Sequence, residues 1–324
     1  MNNTTIPSMP TRPVLSIVTV TYNSSNEIAN FVDSLNAQQV DWQLWLIDNA
    51  SSDDTPAVLA GLASTDARMH VALNRSNVGL AAANNQPLRE LRSRYVAIIN
   101  PDVVVHPGAL GRLVAYLDQH GDVVSVAPVN VDADGTPHSS FHRDWGLRHL
   151  LLWRLLPAPL TRWLYARVRH YGEQDVLFAS GACIVVRTDA FVDIGGYDPA
   201  YFLTVEDVCD LCIRLRQGDA RKRVVILPDA RITHLKSRSA VTMPFVTLWY
   251  GAFGSIHHFR KHHGRLAGWA AFMIVLLTTS LRTALAALRA PFDSRYRASL
   301  DNNRRVLIRL FHDNPLFPSK TKAS

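Results

Sequence analysis

The first half of the chain alternates short, continuously apolar, β-branched runs with amphipathic stretches, and no other feature of the sequence limits the fold so strongly. The runs at 14–22, 43–47, 69–73, 95–99 and 123–128 read as strands, and the stretches at 27–38, 55–63, 79–91 and 107–120 read as helices. Strands that are apolar on both faces, interleaved with helices, predict an α/β fold with a mostly parallel central sheet and helices on both faces. In such a sheet ligands bind beyond the carboxyl ends of the strands. Polar residues collect at that edge: Thr21-Tyr22-Asn23 after the first strand, Asp48-Asn49-Ala50-Ser51-Ser52-Asp53 after the second, and Asn100-Pro101-Asp102 after the fourth.

With 324 residues, 48% of them apolar and 19% charged, the chain can build one large α/β domain with an appendage, or two ordinary domains. Disordered, coiled-coil and low-complexity classes are excluded. Three cysteines exclude a disulfide scaffold and suit a reducing compartment. The polar opening, 1–13, has no apolar core of a secretory signal, so the sequons at Asn2, Asn3, Asn23 and Asn49 are expected to carry nothing. Twelve Lys and Arg against three Asp from Tyr250 onward put that tail at +9, which leaves −2 for the rest within the total of +7. The reading is a near-neutral body with a basic tail, and no internal repeat.

The second half is less regular. Residues 145–168, rich in Leu, Trp and Arg around Pro157 and Pro159, read as a broken amphipathic helix or lid. One or two strands are expected in 174–187, a helix over 206–217, a strand over 222–227, a strand end at 232–234, and helix from Trp249 on.

Several groups carry chemistry in this pattern. Asp48 ends an apolar strand before any helix cap is needed, where a carboxylate can accept hydrogen bonds from a nucleobase or ribose; Ser52 or Asp53 serves equally as an N-cap of the next helix. Asp102 closes another buried strand, where a carboxylate needs solvent, a hydrogen bond or a cation. A divalent cation such as Mg²⁺ or Mn²⁺ takes one or two carboxylates and completes its shell with phosphates, though Asn-Pro and Pro-Asp are also turn dipeptides. The small residues of Asn77-Val78-Gly79-Leu80-Ala81-Ala82-Ala83-Asn84-Asn85 open a helix where a phosphate can approach. The stretch is neither a dinucleotide fingerprint nor a P-loop. Glu206-Asp207, after the aromatics Tyr197, Tyr201 and Phe202, either complements a helix dipole or supplies a general base. Cys209 and Cys212 lack a second pair or a nearby histidine and are expected to pack a helix face. His257-His258 and His262-His263, beside Arg260 and Lys261, read as a basic interfacial face.

These pieces, in this order, resemble family 2 glycosyltransferases of the GT-A fold, the nucleotide-diphospho-sugar transferase fold, and within them the rhamnosyltransferase-like members of bacterial polysaccharide and O-antigen synthesis. The stretches that carry the resemblance are 16–23, 47–53, Asn77-Val78-Gly79 with Asn84-Asn85, Asn100-Pro101-Asp102, Ser180-Gly181-Ala182-Cys183, Gly195-Gly196-Tyr197-Asp198, Glu206-Asp207, and Pro228-Asp229-Ala230 leading to His234. They span 15–239.

The resemblance implies a division into a nucleotide-sugar half, 14–128, and an acceptor half, 129–240. It places Thr21, Tyr22, Asn23, Asp48, Asn49, Asn77, Gly79, Asn84, Asn100, Ser180 and Gly181 around a nucleotide sugar, dTDP- or UDP-linked. Asp102 matches the metal-contacting end of the family's D-x-D motif, with Asn100 at its first position, and His234 completes the metal or diphosphate site. Asp207 matches the catalytic base of a single inverting displacement, with Glu206 as its rival. The rivalry arises because Glu206-Asp207-Val208-Cys209-Asp210-Leu211-Cys212 carries one residue more than the family pattern, a rotation of about 100° on a helix. Leu235-Lys236-Ser237-Arg238 replaces the usual Gly-rich stretch, which offers Lys236 or Arg238 as diphosphate contacts.

The tail, 241–324, holds an uncharged run, 266–281, between Arg265 and Arg282. Sixteen helical residues rise about 24 Å, short of the roughly 30 Å hydrocarbon core. Flanked by arginines, the run fits an anchor lying on an anionic membrane surface, at the cytoplasmic face of a bacterial inner membrane, beside a lipid-linked glycan acceptor. A buried core helix is the alternative. A nucleic-acid-binding tail is not expected, because its centre is an uncharged apolar run. A catalytically inactive nucleotide-sugar-binding or scaffold relative is the rival function.

Overall fold

The computed structural model describes residues 12–132, 135–136, 141–156, 160, 173–235, 244–313 and 316. The strands are β1 (Leu15–Thr21), β2 (Trp42–Asp48), β3 (Met69–Leu73), β4 (Tyr95–Ile99), β5 (Val103–Val105), β6 (Val123–Val131), β7 (Phe141–His142), β8 (Gln174–Asp175), β9 (Phe178–Ala179), β10 (Cys183–Arg187) and β11 (Arg223–His234). Nine of them form one sheet in the order β3-β2-β1-β4-β10-β6-β11-β5, with β8 beside β11; β7 and β9 pair separately. Strands β1 to β4, β6 and β11 share one direction, while β10, β5 and β8 run against them. The sheet is therefore mixed, with the predicted parallel majority interrupted by β10 between β4 and β6.

Alternation along each strand divides the core. Leu15, Ile17, Ala97 and Ile99 face a cluster with Phe31 and Leu35 of α1 (Ile28–Asn36), Leu59 of α2 (Thr55–Thr65), and Leu110, Leu113 and Leu117 of α4 (Ala109–Gln119). Val18, Val96, Ile98, Ile184 and Val186 face the opposite cluster. It includes Ala81 of α3 (Leu80–Asn84), Leu150 of α5 (Leu147–Leu155), Phe191 of α6 (Thr188–Asp193), and Val208, Leu211 and Leu215 of α7 (Glu206–Leu215). Both faces are covered, as the two-sided apolar runs require.

The structure departs from the expected elements in several places. The helix expected over 79–91 stops at Asn84 and resumes as a single 3₁₀ turn, Gln86–Arg89. Pro87 removes the amide that a continuous helix needs there. The Asn85 side chain leaves the helix to grip the Tyr197 backbone, accepting from its N–H at 2.9 Å and donating to its carbonyl at 2.7 Å. Gly196, at φ +71°, permits that grip, since a Cβ there would lie 2.3 Å from Asn85 Oδ1. The two strands expected at 222–227 and 232–234 are one strand, β11, with a register irregularity between Leu227 and Arg231. Pro228 sits in that irregularity, where it spares the ladder a donor. Strand β5 and helix α6 have no counterpart among the elements expected from periodicity. Of 145–168, helix α5 is described; 157–159 and 161–168, like Lys236 and Arg238, lie outside the described residues.

The tail comprises α8 (Pro244–Arg289) and α9 (Ser294–His312). By length and composition α8 is apolar enough to cross a membrane. It is not straight: Gly264 is non-helical at φ 87°, ψ 179°. A Cβ on Gly268 would lie 2.8 Å from Arg260 Cβ, although eight residues of continuous helix would separate the two by about 12 Å. The chain therefore doubles back at Gly264. Trp249 and Ile256 of the first arm pack against Phe272 and Val275 of the second and Val306 and Leu310 of α9.

Candidate active site

The parallel register of β1 on β2 sets Thr21 opposite Asp48. Thr21 Oγ1 donates to Asp48 Oδ1 at 3.0 Å, and Ser51 donates its N–H at 2.9 Å and its hydroxyl at 2.5 Å to the same carboxylate. The loop needs a left-handed turn, taken by Ala50 at φ +64°, and Asn23 takes another at +52° and accepts from Ser52 N–H. Asn49 extends the network: it donates to Asn77 Oδ1 at 2.9 Å and accepts from Val78 N–H and Asn74 Nδ2. Five residues singled out by the sequence, Tyr22, Asn49, Asn77, Asn100 and Asp102, line one cleft together with Val20, Ser24, Leu80, Pro101, Phe202 and Leu203. In the sequence Phe202 stands out only as part of an aromatic run.

Not every predicted contact faces that cleft. Thr21 and Asp48 are buried beneath it. Gly79, at φ +88°, makes room for Phe202, whose ring a Cβ would meet at 2.7 Å, and the Phe202 carbonyl takes the Leu80 N–H at 2.7 Å. The expected phosphate approach at this helix start is thus filled by the protein's own aromatic residue, and α3 is a five-residue helix. Asn84 is buried, and its Oδ1 has no partner among the described residues. Ser180 accepts from Asn130 Nδ2 at 3.3 Å, and Gly181 lies against Val208 Cγ2, 3.0 Å from where a Cβ would stand.

Strand β5 brings the two expected metal residues together. It turns back after Asp102 and pairs antiparallel with the end of β11, Val103 opposite His234. That pairing brings His234 Nε2 to 3.1 Å from Asp102 Oδ2, with Asp102 almost fully buried and His234 about a quarter exposed. Asp102 at the cleft wall suits Mn²⁺ or Mg²⁺, which fill the rest of their coordination with phosphate oxygens and water, and the imidazole behind it is a ligand that Mn²⁺ accepts more readily than Mg²⁺. Among the described residues no group of three His, Cys, Asp or Glu gathers as a metal cage.

The three carboxylates of α7 meet different surroundings. Glu206 accepts from Thr204 Oγ1 and Ser255 Oγ, both at 2.6 Å; burial raises its pKa and these two bonds oppose the rise. Asp210 lies among Arg214 at 2.7 Å, Lys261 at 2.6 Å and His262 at 2.7 Å. Burial works to raise its pKa, but those three groups outweigh it and hold the carboxyl down at about 2. Asp207 accepts only the Val208 N–H, at 2.6 Å, among the described residues. Burial, with Glu206 and Asp210 adding to it, pushes the Asp207 carboxyl up to about 8. Of the three, Asp207 alone keeps a carboxylate uncommitted to another side chain.

The histidines are a correction. Of the four histidines in the first arm of α8, three turn into the body rather than form an interfacial face, and His263 is exposed. His262 bonds Asp210, His257 lies 3.4 Å from Asp198, and His258 is buried with Nε2 4.0 Å from Cys209 Sγ. No histidine neighbours the Cys209–Cys212 pair in sequence, and the fold supplies one. Burial keeps the Cys209 thiol high and the His258 imidazole low, at about 3, so the two meet as neutral core groups. A larger cleft, about 670 Å³, opens at the amino ends of β6 and β11, between Arg187, Asp189, Asp193, Arg214 and Arg221, and contains none of the predicted site residues.

The sequence profile described as "Glycosyl transferase family 2" matches residues 16–195, more than half of the chain. Over 92% of this chain and 97% of its own length, an N-acetylglucosaminyl-diphospho-decaprenol L-rhamnosyltransferase of Mycobacterium tuberculosis is 29% identical. A putative teichuronic acid biosynthesis glycosyltransferase of Bacillus subtilis is 29% identical over 40% of this chain and 52% of its own. Among solved structures, a mannosyltransferase from Pyrobaculum calidifontis in complex with GDP-Man and Mn²⁺ superposes with a TM-score of 0.54 at 16% identity, covering 94% of this chain and 88% of that one. GalNAc-T7 with UDP, GalNAc and Mn²⁺ gives 0.55 at 14%, over 77% and 48%. The strand order, the cleft at the carboxyl ends of β1, β2 and β4, and the ordered motifs agree with these matches: the chain is a GT-A-fold glycosyltransferase belonging to glycosyl transferase family 2.

Proposed function

We propose that the protein transfers rhamnose from a nucleoside-diphosphate donor, dTDP- or UDP-linked, to a hydroxyl of a lipid-diphosphate-linked glycan in cell-surface polysaccharide synthesis, by one inverting displacement. The observation that carries this reading is Asp102, which lines one cleft with Tyr22, Asn49, Asn77 and Asn100 and has His234 behind it at 3.1 Å. Asp102, with His234 beside it, would hold a divalent cation, which would supply positive charge to the departing diphosphate. Thr21, Asp48 and Ser51 fix the loop that receives the nucleoside, and Asn84 stands near the sugar. Asp207 takes the proton of the acceptor hydroxyl as that oxygen attacks the anomeric carbon. The nearly full-length relative that acts on a decaprenol-diphosphate acceptor supports the sugar and the acceptor class.

The body, 14–240, and the tail, 241–324, divide chemistry from attachment. Leu266, Trp269, Met273, Leu277, Leu281, Leu285 and Leu288 are exposed along one side of the second arm of α8, at the three- and four-residue spacing of a single helix face. With Arg265, Arg289, Arg295 and Arg297 flanking it, that stripe suits an anionic cytoplasmic leaflet. Leu277→Glu with Leu281→Glu should move the protein from the membrane to the soluble fraction; unchanged fractionation excludes the anchor.

A donor screen with purified protein tests the reaction, measuring nucleoside diphosphate release with and without a lipid-diphosphate sugar acceptor. Acceptor-dependent release that stops in excess chelator and returns with Mn²⁺ is expected. One observation favours a second reading, a catalytically inactive nucleotide-sugar-binding relative: Asp207 is 2% exposed and lies outside the cleft lining. Donor binding without turnover on any acceptor would establish that reading instead.

A further inference from the structure

Helix α5 and the second arm of α8 each bury one apolar face and leave further apolar residues exposed, with arginines between the two helices. Helix α5 exposes Leu151, Trp153 and Leu155 and turns Arg154, half-buried, toward α8. There Arg154 donates to Thr278 Oγ1 at 3.0 Å and to Thr279 Oγ1 at 3.1 Å, and Arg282, also half-buried, donates to the Arg154 carbonyl. Two guanidinium groups thus share one site behind an apolar surface. Burial, then the neighbouring Arg282, pulls the Arg154 pKa down to about 10, so the pair is held together against its own repulsion. Neither arginine has a carboxylate within ion-pair distance among the described residues.

The sequence shows why no carboxylate arrives. Residues 145–172, which include α5, contain no Asp or Glu, and neither do residues 230–292, which include all of α8. Among the described residues, the carboxylate whose field reaches Arg154 is Glu206, at the start of α7, and its oxygens already accept from Thr204 and Ser255. Buried charge without a partner is costly, and two forked guanidinium donors match the oxygens of a phosphate. Thr278, Thr279 and Arg282 belong to the arm that carries the exposed stripe, and Arg154 interacts electrostatically with Glu206, the residue adjoining Asp207.

We infer that Arg154 and Arg282 bind the diphosphate of a membrane-held polyprenyl-diphosphate acceptor, setting its sugar beside Asp207. The inference rests on the transferase reading above and names a subsite of it: the apolar stripe meets the lipid, the arginine pair meets the phosphates, and the sugar beyond them reaches the base.

The test uses the full-length protein in detergent micelles, with geranylgeranyl diphosphate as probe and geranylgeraniol as the phosphate-free control. The wild type should prefer the diphosphate by tenfold or more, and Arg154→Gln or Arg282→Gln should weaken that preference about 10- to 100-fold, the scale of lost charged hydrogen bonds. Arg154→Lys, which keeps the charge but not the fork, should recover part of it. Should the Gln variants fail to fold, wild-type protein treated with the arginine reagent phenylglyoxal decides: the diphosphate should protect Arg154 and Arg282 while exposed Arg304 reacts. No preference in the wild type, folded Gln variants that retain it, or no protection each overturn the site. Loss of binding to phosphatidylglycerol vesicles in step with loss of the probe also overturns it, assigning the pair to bulk lipid headgroups. A protein that binds the probe but no nucleotide sugar loses the transferase reading and keeps the anion site; one that binds nucleotide sugar without preferring the diphosphate does the reverse.

Discussion

Asp48 and Asp207 are the same residue type, each 2% exposed, each at the boundary of a regular element, and their surroundings are opposite. Three donors from Thr21 and Ser51 converge on Asp48, all supplied by the two strand ends that carry it. Asp207 receives one backbone N–H and stands between Glu206 and Asp210. The first is tied into a loop by its donors, and under the proposed function that loop seats the nucleoside. The second is a carboxyl whose pKa burial raises to about 8, which makes its ionised form a stronger base for an acceptor hydroxyl and confines its action to the deprotonated fraction. Equal burial therefore says little about role; the donors around the carboxylate decide it.

The largest expected effect sharpens that contrast. Asp207→Asn should lower kcat by about 10² to 10⁴-fold while leaving donor affinity nearly unchanged. Glu206→Gln, whose parent is held by Thr204 and Ser255, is the control. If Glu206→Gln is dead and Asp207→Asn turns over normally, the extra residue in this helix has moved the base by one position. If both stay active, neither residue is the base.

Asp210→Asn tests the third carboxylate. Removing one partner from a buried charged cluster costs about 3–5 kcal/mol, because Lys261, His262 and Arg214 lose their counter-charge. A urea midpoint within error of wild type would show that α8 is held to α7 by apolar contact alone. Asp48→Asn should break the donor side instead, weakening nucleotide-sugar binding about tenfold by calorimetry with a smaller change in kcat; a pure kcat loss would put Asp48 at the reacting centre.

The smallest effect is in stability. A carboxyl at about 8 in the folded chain and 3.8 unfolded binds its proton more tightly when folded. Its contribution is therefore complete below pH 3.8 and is lost as pH rises through about 8. Asp207→Asn should remove that loss and raise stability at pH 8 by about 1–2 kcal/mol, read as the difference between melts at pH 6 and pH 8. The kcat/KM of the wild type should climb with pH up to the same value and level beyond it. A flat profile would mean that Asp207 is ionised throughout.

Motifs made of neighbours along the chain are legible in the amino-acid sequence alone. The β-branched runs and the polar strand ends depend on the side-chain period of a strand and on local turn chemistry, whereas the meeting of Thr21 with Asp48, 27 residues on, follows from the β1–β2 pairing. The 79–91 stretch misleads because its helix periodicity outweighs Pro87, and because Asn85 finds its partner in Tyr197, 112 residues away. The His258–Cys209 contact escapes notice for the same reason, since the two sit 49 residues apart.

The alternation of apolar strands and helices, the order of the motifs and the basic, carboxylate-poor tail were determined by the sequence itself, because periodicity and charge are local properties. Tertiary structure decided the rest. The antiparallel pairing of β5 with β11 joins Asp102 to His234, the packing of the first arm of α8 sets His258 and His262 on α7, and the reversal at Gly264 lays the second arm back with its leucines outside. The contact of α5 with α8 brings Arg154 to Arg282. Each is a meeting of segments distant along the chain, and such meetings are chosen by the packing free energy of the whole core, which no window of sequence contains.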